Sequence, residues 1–315
     1  MLVVAIPVVF RVVTHVHDVS IGTSHTRASD FVRFDSGAPS GPILADSAHL
    51  IEGDLMALGP WPVILLPGGI LPAQPAYEAL LGELGDEVDA RAKDLEMYAG
   101  DSVPPRGYTL ETEVEGILRT AADAGFETFH LVGYSAGGAS SLAFTSRYPE
   151  RLRSLALMEP AWAGREGQSP EEVAVYDRFR AIPGLSADRI MPEFVRTQLA
   201  DGVEPPSPPP GPPPPWMPSR LAGIGGFMAA FDACQPDLGV FRRFDRPVYF
   251  ALGGRGNPDL YARMAARLGD VFPDFTLDVY DDRHHFDPPH RIEPARVAAA
   301  LRDLWTRAES RQERH

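Results

Sequence analysis

The sequence predicts an α/β protein: a mostly parallel central sheet flanked by helices, with one helical segment inserted into the chain. Short apolar runs alternate with helical patterns before residue 160 and again after residue 246, which is the rhythm of parallel βαβ units. Between these two regions, residues 161–245 show helical patterns and no strand-like run. The 315 residues are enough to bury a sizeable core, as one large domain or two small ones.

The predicted elements follow from apolar runs, capping residues and turn residues taken in order along the chain. Two β-like runs near the N-terminus suit edge strands or hairpins and cover residues 8–16 and 31–35. The runs expected to form core strands are 62–67, 91–98, 129–134, 152–159, 247–253 and 275–281. The expected core helices are 73–85, 109–125, 136–147, 259–272 and 292–308. The all-apolar run 62–67 is typical of a central strand that is buried on both faces.

Two features are expected to shape the inserted segment. Ser169-Pro170-Glu171-Glu172 has the order of a capping box, which begins a helix. Residues 204–218 are rich in proline, which lacks the N–H that a helix interior or a central strand needs. We therefore expect polyproline II or a mobile loop there, acting as a rigid edge, a gate or a docking strip for a partner. The chain then divides into a core part over 1–160, a helical segment over 161–245 and a second core part over 246–315.

Charge and composition argue against several classes of protein. Lys and Arg number 29 against 43 Asp and Glu, a formal charge of −14, which disfavours nucleic acids and anionic membranes as partners. The single cysteine, Cys234, cannot form an internal disulfide, and no run of 18 apolar residues predicts a membrane span. Residues 2–10 are apolar but lack the flanking signals of a secretory leader, so an N-terminal strand and a cytoplasmic location are expected. His15 and His17 fit either a metal pair or one face of a strand, and we expect no metal or organic cofactor.

The strongest signal for chemistry is Gly133-Tyr134-Ser135-Ala136-Gly137, a G-x-S-x-G pattern between a strand-like run and a helix. A turn this tight strains the serine backbone, and side chains at positions 133 and 137 would clash. Ser135 is therefore the predicted nucleophile, and the Ala136 N–H at the helix N-terminus faces developing negative charge. A serine hydroxyl needs a base, and His284 and His285 follow the last predicted strand.

These motifs make the chain resemble capped, esterase-like serine hydrolases of the α/β-hydrolase fold. The segments that carry the resemblance are the serine motif, Pro67-Gly68-Gly69, Tyr148-Pro149-Glu150-Arg151 and His285-Phe286, within about 62–160 and 246–305. The resemblance implies that His285 is the base, because the family's histidine precedes a hydrophobic residue, and His284 is the alternative. It also implies an oxyanion amide from Gly69, with Ile70 second, although Pro67 stands where the family usually has histidine.

The resemblance leaves the acid of the triad open. The family usually places an aspartate in a Gly-x-x-Asp turn after the strand 247–253, and here Asn257 stands at that position. An asparagine can orient an imidazole but lacks the charge that stabilises an imidazolium. Glu159, at the end of the strand 152–159, is the favoured replacement, and Asp259 is the alternative.

The resemblance further implies that residues 161–245 cap the serine, and that the substrate is a small hydrophobic ester cleaved through an acyl-enzyme. Thioesters, lactones and C–C bonds beside a carbonyl fit the same parts. The residues expected to line the pocket are Ile70, Tyr134, Trp162, Trp216, Met217 and Phe227. The alternative is a protein of the same fold that binds a small molecule and turns it over slowly or not at all. No feature of the sequence predicts the oligomeric state.

Overall fold

The computed structural model describes residues 60–207 and 212–312, which form six strands and ten helices. The strands are β1 Trp61–Leu66, β2 Val88–Ala92, β3 Phe129–Tyr134, β4 Leu152–Met158, β5 Val248–Gly253 and β6 Phe275–Tyr280. The helices are α1 Ala73–Leu84, α2 Leu110–Asp123, α3 Ala136–Arg147, α4 Pro170–Ala181, α5 Ala187–Thr197, α6 Met217–Ala233, α7 Leu238–Phe241, α8 Arg263–Gly269, α9 Pro289–Ile292 and α10 Pro294–Gln312. The β-like runs expected over 8–16 and 31–35, with His15 and His17, lie outside the described residues.

All the strands pair in parallel, in the order β2-β1-β3-β4-β5-β6. Leu66 lies opposite Gly133, Tyr134 opposite Met158, and Met158 opposite Ala251, so four adjacent strands end at one edge of the sheet. Since ligands of open parallel sheets bind beyond the carboxyl ends of the strands, this edge is where a site is expected. The predicted fold class is confirmed.

Both faces of the sheet are buried, which explains the uniformly apolar strands. Leu65, Val132 and Ala156 belong to a cluster with side chains of α1 and α10. Their neighbours Ile64 and Leu131 belong to a second cluster, with side chains of α2, α3, α8 and the helices between β4 and β5. Successive residues of a strand point to opposite faces, so alternate apolar residues supply the two layers.

The predicted strand 91–98 is wrong in its position. The second strand ends at Ala92, and Glu96–Tyr98 form a short 3₁₀ turn instead. The buried carboxylate of Glu113 on α2 accepts the N–H groups of Glu96 and Met97, each at 3.0 Å. Those backbone groups are therefore bound to a side chain and cannot continue a sheet ladder.

The capping box of α4 is confirmed: Ser169 Oγ accepts the Glu172 N–H at 3.2 Å, and Glu172 accepts the Ser169 N–H. No helix or strand occurs over 201–207 and 212–216, whereas 208–211 lie outside the described residues. The expected proline-rich loop ends earlier than 218, because Pro218 lies in the first turn of α6, where its missing N–H is tolerated.

Two core helices also differ from expectation. The predicted helix 259–272 begins with a π turn, Pro258–Ala262, and continues as α8 only to Gly269. The terminal helix, predicted over 292–308, runs from Pro294 to Gln312. Within 60–207 and 212–312, no helix combines the length and apolar character that crossing a bilayer requires.

Candidate active site

Ser135 lies in a strained turn between β3 and α3, with φ 53° and ψ −117°. The two motif glycines leave no room for a side chain. A Cβ on Gly137 would lie 2.4 Å from the Leu66 carbonyl oxygen, and one on Gly133 would lie 2.6 Å from the Gly137 carbonyl oxygen. The steric reason expected for these glycines is confirmed, and it explains why the serine hydroxyl projects from the end of the sheet.

Backbone hydrogen bonds tie this turn to the strands on either side. The Ser135 N–H donates to the Met158 carbonyl at 3.1 Å, and the Gly137 N–H donates to the Pro67 carbonyl at 3.0 Å. The Ala161 N–H, just beyond β4, donates to the Ser135 carbonyl at 2.8 Å. The serine is thus held in one geometry by three segments that meet at the carboxyl edge of the sheet.

The structure brings Ser135, His285 and Glu159 together. His285 Nε2 lies 2.9 Å from Ser135 Oγ, and His285 Nδ1 lies 2.9 Å from Glu159 Oε2. An ionised carboxylate only accepts hydrogen bonds, so Nδ1 carries the proton in this arrangement, and Nε2 is free to accept from the serine hydroxyl. This order of contacts allows proton transfer from serine to histidine.

Glu159 occupies a site that glycines make possible. Its backbone φ of 44° is unusual for a residue with a side chain, and its Oε1 accepts the Gly253 N–H at 2.9 Å. A Cβ on Gly253 or on Gly256 would come within 3.1 Å or 3.0 Å of that same oxygen. The carboxylate from β4 therefore occupies space left open by the Gly-rich turn after β5.

Asn257 and Asp259 serve the start of the π turn rather than the histidine. Asn257 Oδ1 accepts the Asp259 N–H at 3.0 Å, and Asn257 Nδ2 donates to the Thr197 carbonyl at 2.8 Å. The Asp259 carboxylate forms an ion pair with Arg263 at 3.0 Å, one turn along. The structure does not bring Asp259 to His285.

Two tyrosines support the His285 ring. Tyr261 stacks on it with a centroid separation of 4.7 Å and an angle of 9°, and Tyr134 packs at 5.0 Å. The Tyr134 hydroxyl also donates to the His285 carbonyl. Burial, reinforced by the charge of Glu159, raises the pKa of both tyrosines well above the usual value, so both remain protonated donors.

His284 has a different environment from His285. Its Nδ1 is buried without a hydrogen-bond partner, and burial lowers its pKa. Its carbonyl accepts the Asp287 N–H at 2.9 Å, in the turn that precedes α9. The Ser135 hydroxyl therefore has His285 Nε2 as its acceptor, and His284 makes no such contact with it.

A largely apolar cavity lies above the serine; the space between its walls is about 510 Å³ when the open solvent at its mouth is included. Its lining at the sheet edge is Gly69, Ile70, Ser135 and Ala136. The rest of the lining is Ala161, Tyr176, Phe179, Phe194, Gln198, Ile224, Phe227, Met228, Phe231, Leu260 and Tyr261. Most of these residues belong to the segment between β4 and β5.

Only two of the predicted pocket residues, Ile70 and Phe227, line this cavity. Trp162 is buried elsewhere in the core, where its indole N–H donates to the Cys234 carbonyl at 2.8 Å. Tyr134 lies against His285, and Trp216 and Met217 lie half-buried at the start of α6, outside the lining. Apolar character alone does not distinguish residues that pack the helices from residues that face the cavity.

Sequence reasoning missed Tyr261 and Gln198. Tyr261 Oη donates to Gln198 Oε1 at 2.7 Å, and both residues line the cavity. The π turn that carries Tyr261 is a local deviation often found at functional sites, but nothing in the residues 258–262 predicts it. Gln198 directly follows α5, at a position without a recognisable motif.

Comparison with known proteins points to the same fold. A family model described as the alpha/beta hydrolase fold matches residues 99–204. The chain is 40% identical over 89 residues to the 2-hydroxy-6-oxo-6-phenylhexa-2,4-dienoate hydrolase of Comamonas testosteroni. That match covers 27% of this chain and 30% of the relative's length, so it compares only part of each protein.

Solved structures extend the likeness over most of the chain. The 2-hydroxy-6-oxo-6-phenylhexa-2,4-dienoate hydrolase from Rhodococcus sp. strain RHA1 aligns with a TM-score of 0.56 at 20% identity, covering 78% of this chain and 91% of that chain. A thermophilic esterase from Thermogutta terrifontis aligns with a TM-score of 0.53 at 22% identity, covering 79% and 91%. The parallel sheet, the serine turn and these likenesses lead to one conclusion: the chain is an α/β-hydrolase-fold protein.

Proposed function

We propose that this protein is a serine hydrolase in which Ser135 is the nucleophile, His285 the base and Glu159 the acid. The observation that carries the proposal is the pair of 2.9 Å contacts from the two nitrogens of His285 to Ser135 and Glu159. The hydrolases among the matched proteins support the same reaction class.

The reaction follows from this order of contacts. His285 Nε2 takes the proton of Ser135 Oγ as that oxygen attacks the substrate carbonyl, and Glu159 stabilises the imidazolium. The amides of Ala136 and Gly69 receive the oxyanion. His285 then protonates the leaving alcohol, and afterwards activates the water that releases the acid from Ser135.

We propose that residues 161–245 act as a cap, inserted between core parts 1–160 and 246–315. Side chains of this segment form most of the cavity wall, including Tyr176, Phe194 and Phe227. Such a wall excludes water from the acyl-enzyme and strengthens the electrostatic contacts at the serine.

We propose an uncharged carboxylic ester with an apolar acyl group as the substrate. Among the described residues, the cavity lining contains no lysine, arginine or histidine, and its polar side chains are Ser135, Gln198 and tyrosines. Burying a substrate carboxylate without a cation is costly. The names of two matched hydrolases contain a dienoate, which is an anion. The lining of this cavity has no cationic side chain among the described residues to pair with such an anion.

A fluorophosphonate probe and a p-nitrophenyl ester test the proposed reaction. The probe is expected to label wild-type protein at Ser135, and Ser135→Ala is expected to lose labelling and turnover with an unchanged unfolding curve. Losing a triad serine costs roughly 10⁶-fold in kcat. A folded wild-type protein that is not labelled would favour the binding protein of the same fold, and a Ser135→Ala variant with wild-type turnover would exclude this nucleophile.

A matched pair of esters tests the substrate class. p-Nitrophenyl pentanoate and mono-p-nitrophenyl glutarate differ mainly in a terminal methyl group against a carboxylate. We expect kcat/KM to be at least about 30-fold higher for the pentanoate, since an unpaired buried charge costs several kcal/mol. Equal values, or faster hydrolysis of a dienoate than of the pentanoate, would show that the cavity accepts anions.

A further inference from the structure

The turn that follows β1 has little stiffness of its own. Gly68 and Gly69 are adjacent, and glycine adopts more backbone conformations than any other residue. A useful oxyanion amide must nevertheless be fixed before the substrate arrives. If Gly69 has the role proposed above, on which this inference rests, other groups must hold the turn.

Tyr98 supplies one such group. Its hydroxyl donates to the Gly69 carbonyl oxygen at 2.7 Å. Tyr98 lies on the 3₁₀ turn whose Glu96 and Met97 N–H groups are bound by the buried carboxylate of Glu113. The Tyr98 hydroxyl therefore links the 3₁₀ turn, which Glu113 holds in place, to the glycine turn after β1.

Helix α6 packs against both ends of this contact. The Phe227 ring lies 3.1 Å from where a Cβ on Gly69 would be, and packs edge-on to Tyr98 at 6.0 Å. A Cβ on Gly223 would lie 2.4 Å from Tyr98 Oη. The glycine at 223 thus lets the helix come close enough to confine the tyrosine.

Arg220, one turn before Gly223, covers the Tyr98 ring. Its guanidinium carbon lies 3.7 Å from the ring centroid, and the residue is 5% exposed. Arg220 Nε is buried with no hydrogen-bond partner among the described residues, and the guanidinium faces the π system of the ring. Burial raises the pKa of Tyr98 to about 12 while the arginine opposes that rise, so the hydroxyl keeps its proton and remains a hydrogen-bond donor to Gly69.

We propose that Tyr98, backed by Arg220, is a positioning residue that holds the Gly69 turn ready for the oxyanion. The docking of α6 on Tyr98 then couples the helical segment 161–245 to the rate of the chemical step. Tyr98 itself does not line the cavity, so its effect on substrate binding is small.

The chain offers a matched pair of variants for the test. Tyr108 also packs edge-on to Phe227 at 6.0 Å, but its hydroxyl donates to Glu113 rather than to Gly69. Tyr98→Phe and Tyr108→Phe each remove one oxygen beside the same phenylalanine. Glu113 keeps its two backbone N–H donors in the second variant.

We expect Tyr98→Phe to lower kcat about tenfold with KM changed less than about twofold, a fraction of the 10²–10³-fold lost with a whole oxyanion donor. The rate of fluorophosphonate labelling should fall in parallel, whereas Tyr108→Phe should stay within about twofold of wild type. The kcat and the labelling rate of Arg220→Met should lie between those of Tyr98→Phe and Tyr108→Phe. Equal losses in both phenylalanine variants, or a wild-type kcat in Tyr98→Phe, would overturn the proposal.

Amide hydrogen exchange of residues 68–71 gives a readout that does not need turnover. Faster exchange there in Tyr98→Phe, but not in Tyr108→Phe, is the expected result. Unchanged exchange in Tyr98→Phe overturns the proposal even if the wild-type protein proves to have no hydrolase activity. Absence of labelling at Ser135 in the wild type overturns the proposed function instead, so the two failures are distinct.

Discussion

Glu159 reaches His285 from the end of β4, one strand earlier than the position where the family's aspartate usually stands. The residue is 2% exposed, and both oxygens of its carboxylate are bonded, one to His285 and the other to the Gly253 N–H. The strained φ of 44° is maintained because both bonds hold the side chain in place. Asn257, at the family's usual position, is thereby free to cap the π turn.

Glu159→Gln is expected to lower kcat by about 10²–10⁴-fold, because the amide keeps the shape but cannot stabilise the imidazolium. Asp259→Asn is the control, since it changes a carboxylate that bonds Arg263 on the surface. Steady-state kinetics with a p-nitrophenyl ester measure both. The assignment is wrong if Asp259→Asn causes the larger loss.

His285→Ala is expected to abolish measurable turnover, whereas His284→Ala should reduce it by less than about tenfold. The reason is that, of these two histidines, His285 is the one that contacts both Ser135 and Glu159. Fluorophosphonate labelling of the two variants provides the measurement. Retained labelling in His285→Ala together with loss in His284→Ala would reverse the two roles.

At the scale of elements, the serine turn depends on how closely α3 approaches β1. Gly137 on α3 lies against the carbonyl groups of Leu66 and Pro67, with no space for a methyl group. Gly138 lies similarly close to Pro160, beyond β4. Two strands thus meet the first turn of one helix, and this contact places the serine above the sheet.

Gly137→Ala is expected to destabilise the protein by about 2–3 kcal/mol, because the backbone must move to admit the methyl group. Gly82→Ala in α1 is the matched control. Gly82 is exposed, nothing lies near its Cβ position, and alanine there should stabilise the helix by about 0.5–1 kcal/mol. Urea unfolding measures the change in the free energy of unfolding for both variants. If the two substitutions change it in the same direction, the steric argument is contradicted.

At the scale of the whole molecule, two buried histidines make the stability of the fold depend on pH. His130 is fully buried, with Nδ1 2.8 Å from Ser154 Oγ and Nε2 3.2 Å from Glu309 Oε1. His290 is buried between Tyr77 and Tyr134, at ring distances of 5.1 Å and 4.9 Å. Burial lowers the pKa of His130 from 6.5 to about 4 and that of His290 to about 3. Both are therefore neutral in the folded protein at pH 7.

Stability is expected to fall as the pH drops from 6.5 towards 4. In this window the unfolded chain binds protons at both histidines and the folded chain does not, so each histidine costs about 1.4 kcal/mol per pH unit. Urea unfolding at pH 7.5, 6 and 5 measures the slope. His290→Phe keeps an aromatic ring between the tyrosines and should roughly halve the histidine part of that slope. An unchanged slope would show that His290 binds protons equally in the folded and the unfolded protein over this pH range.

The fold was largely predictable from the sequence. The exceptions arise where contacts with residues distant in the sequence decide the local structure. β3 and α3 match their expected bounds because apolar runs and glycines specify them locally. The misplaced second strand depended on Glu113, which binds Glu96 and Met97 from a later helix. Of the expected pocket residues, Trp162 packs in the core because its neighbours, not its type, determine which way it points.

The sequence by itself determined the order of strands and helices, the strained turn at Ser135 and the position of His285 after the last strand. Each of these depends on residues within a few positions of one another. Only the tertiary structure decided that Glu159 faces His285, across 126 positions of chain, and that Tyr98 reaches Gly69, across 29. The physical reason is that hydrogen bonds depend on distances between side-chain atoms, and a local pattern does not specify those distances for segments that only folding brings together.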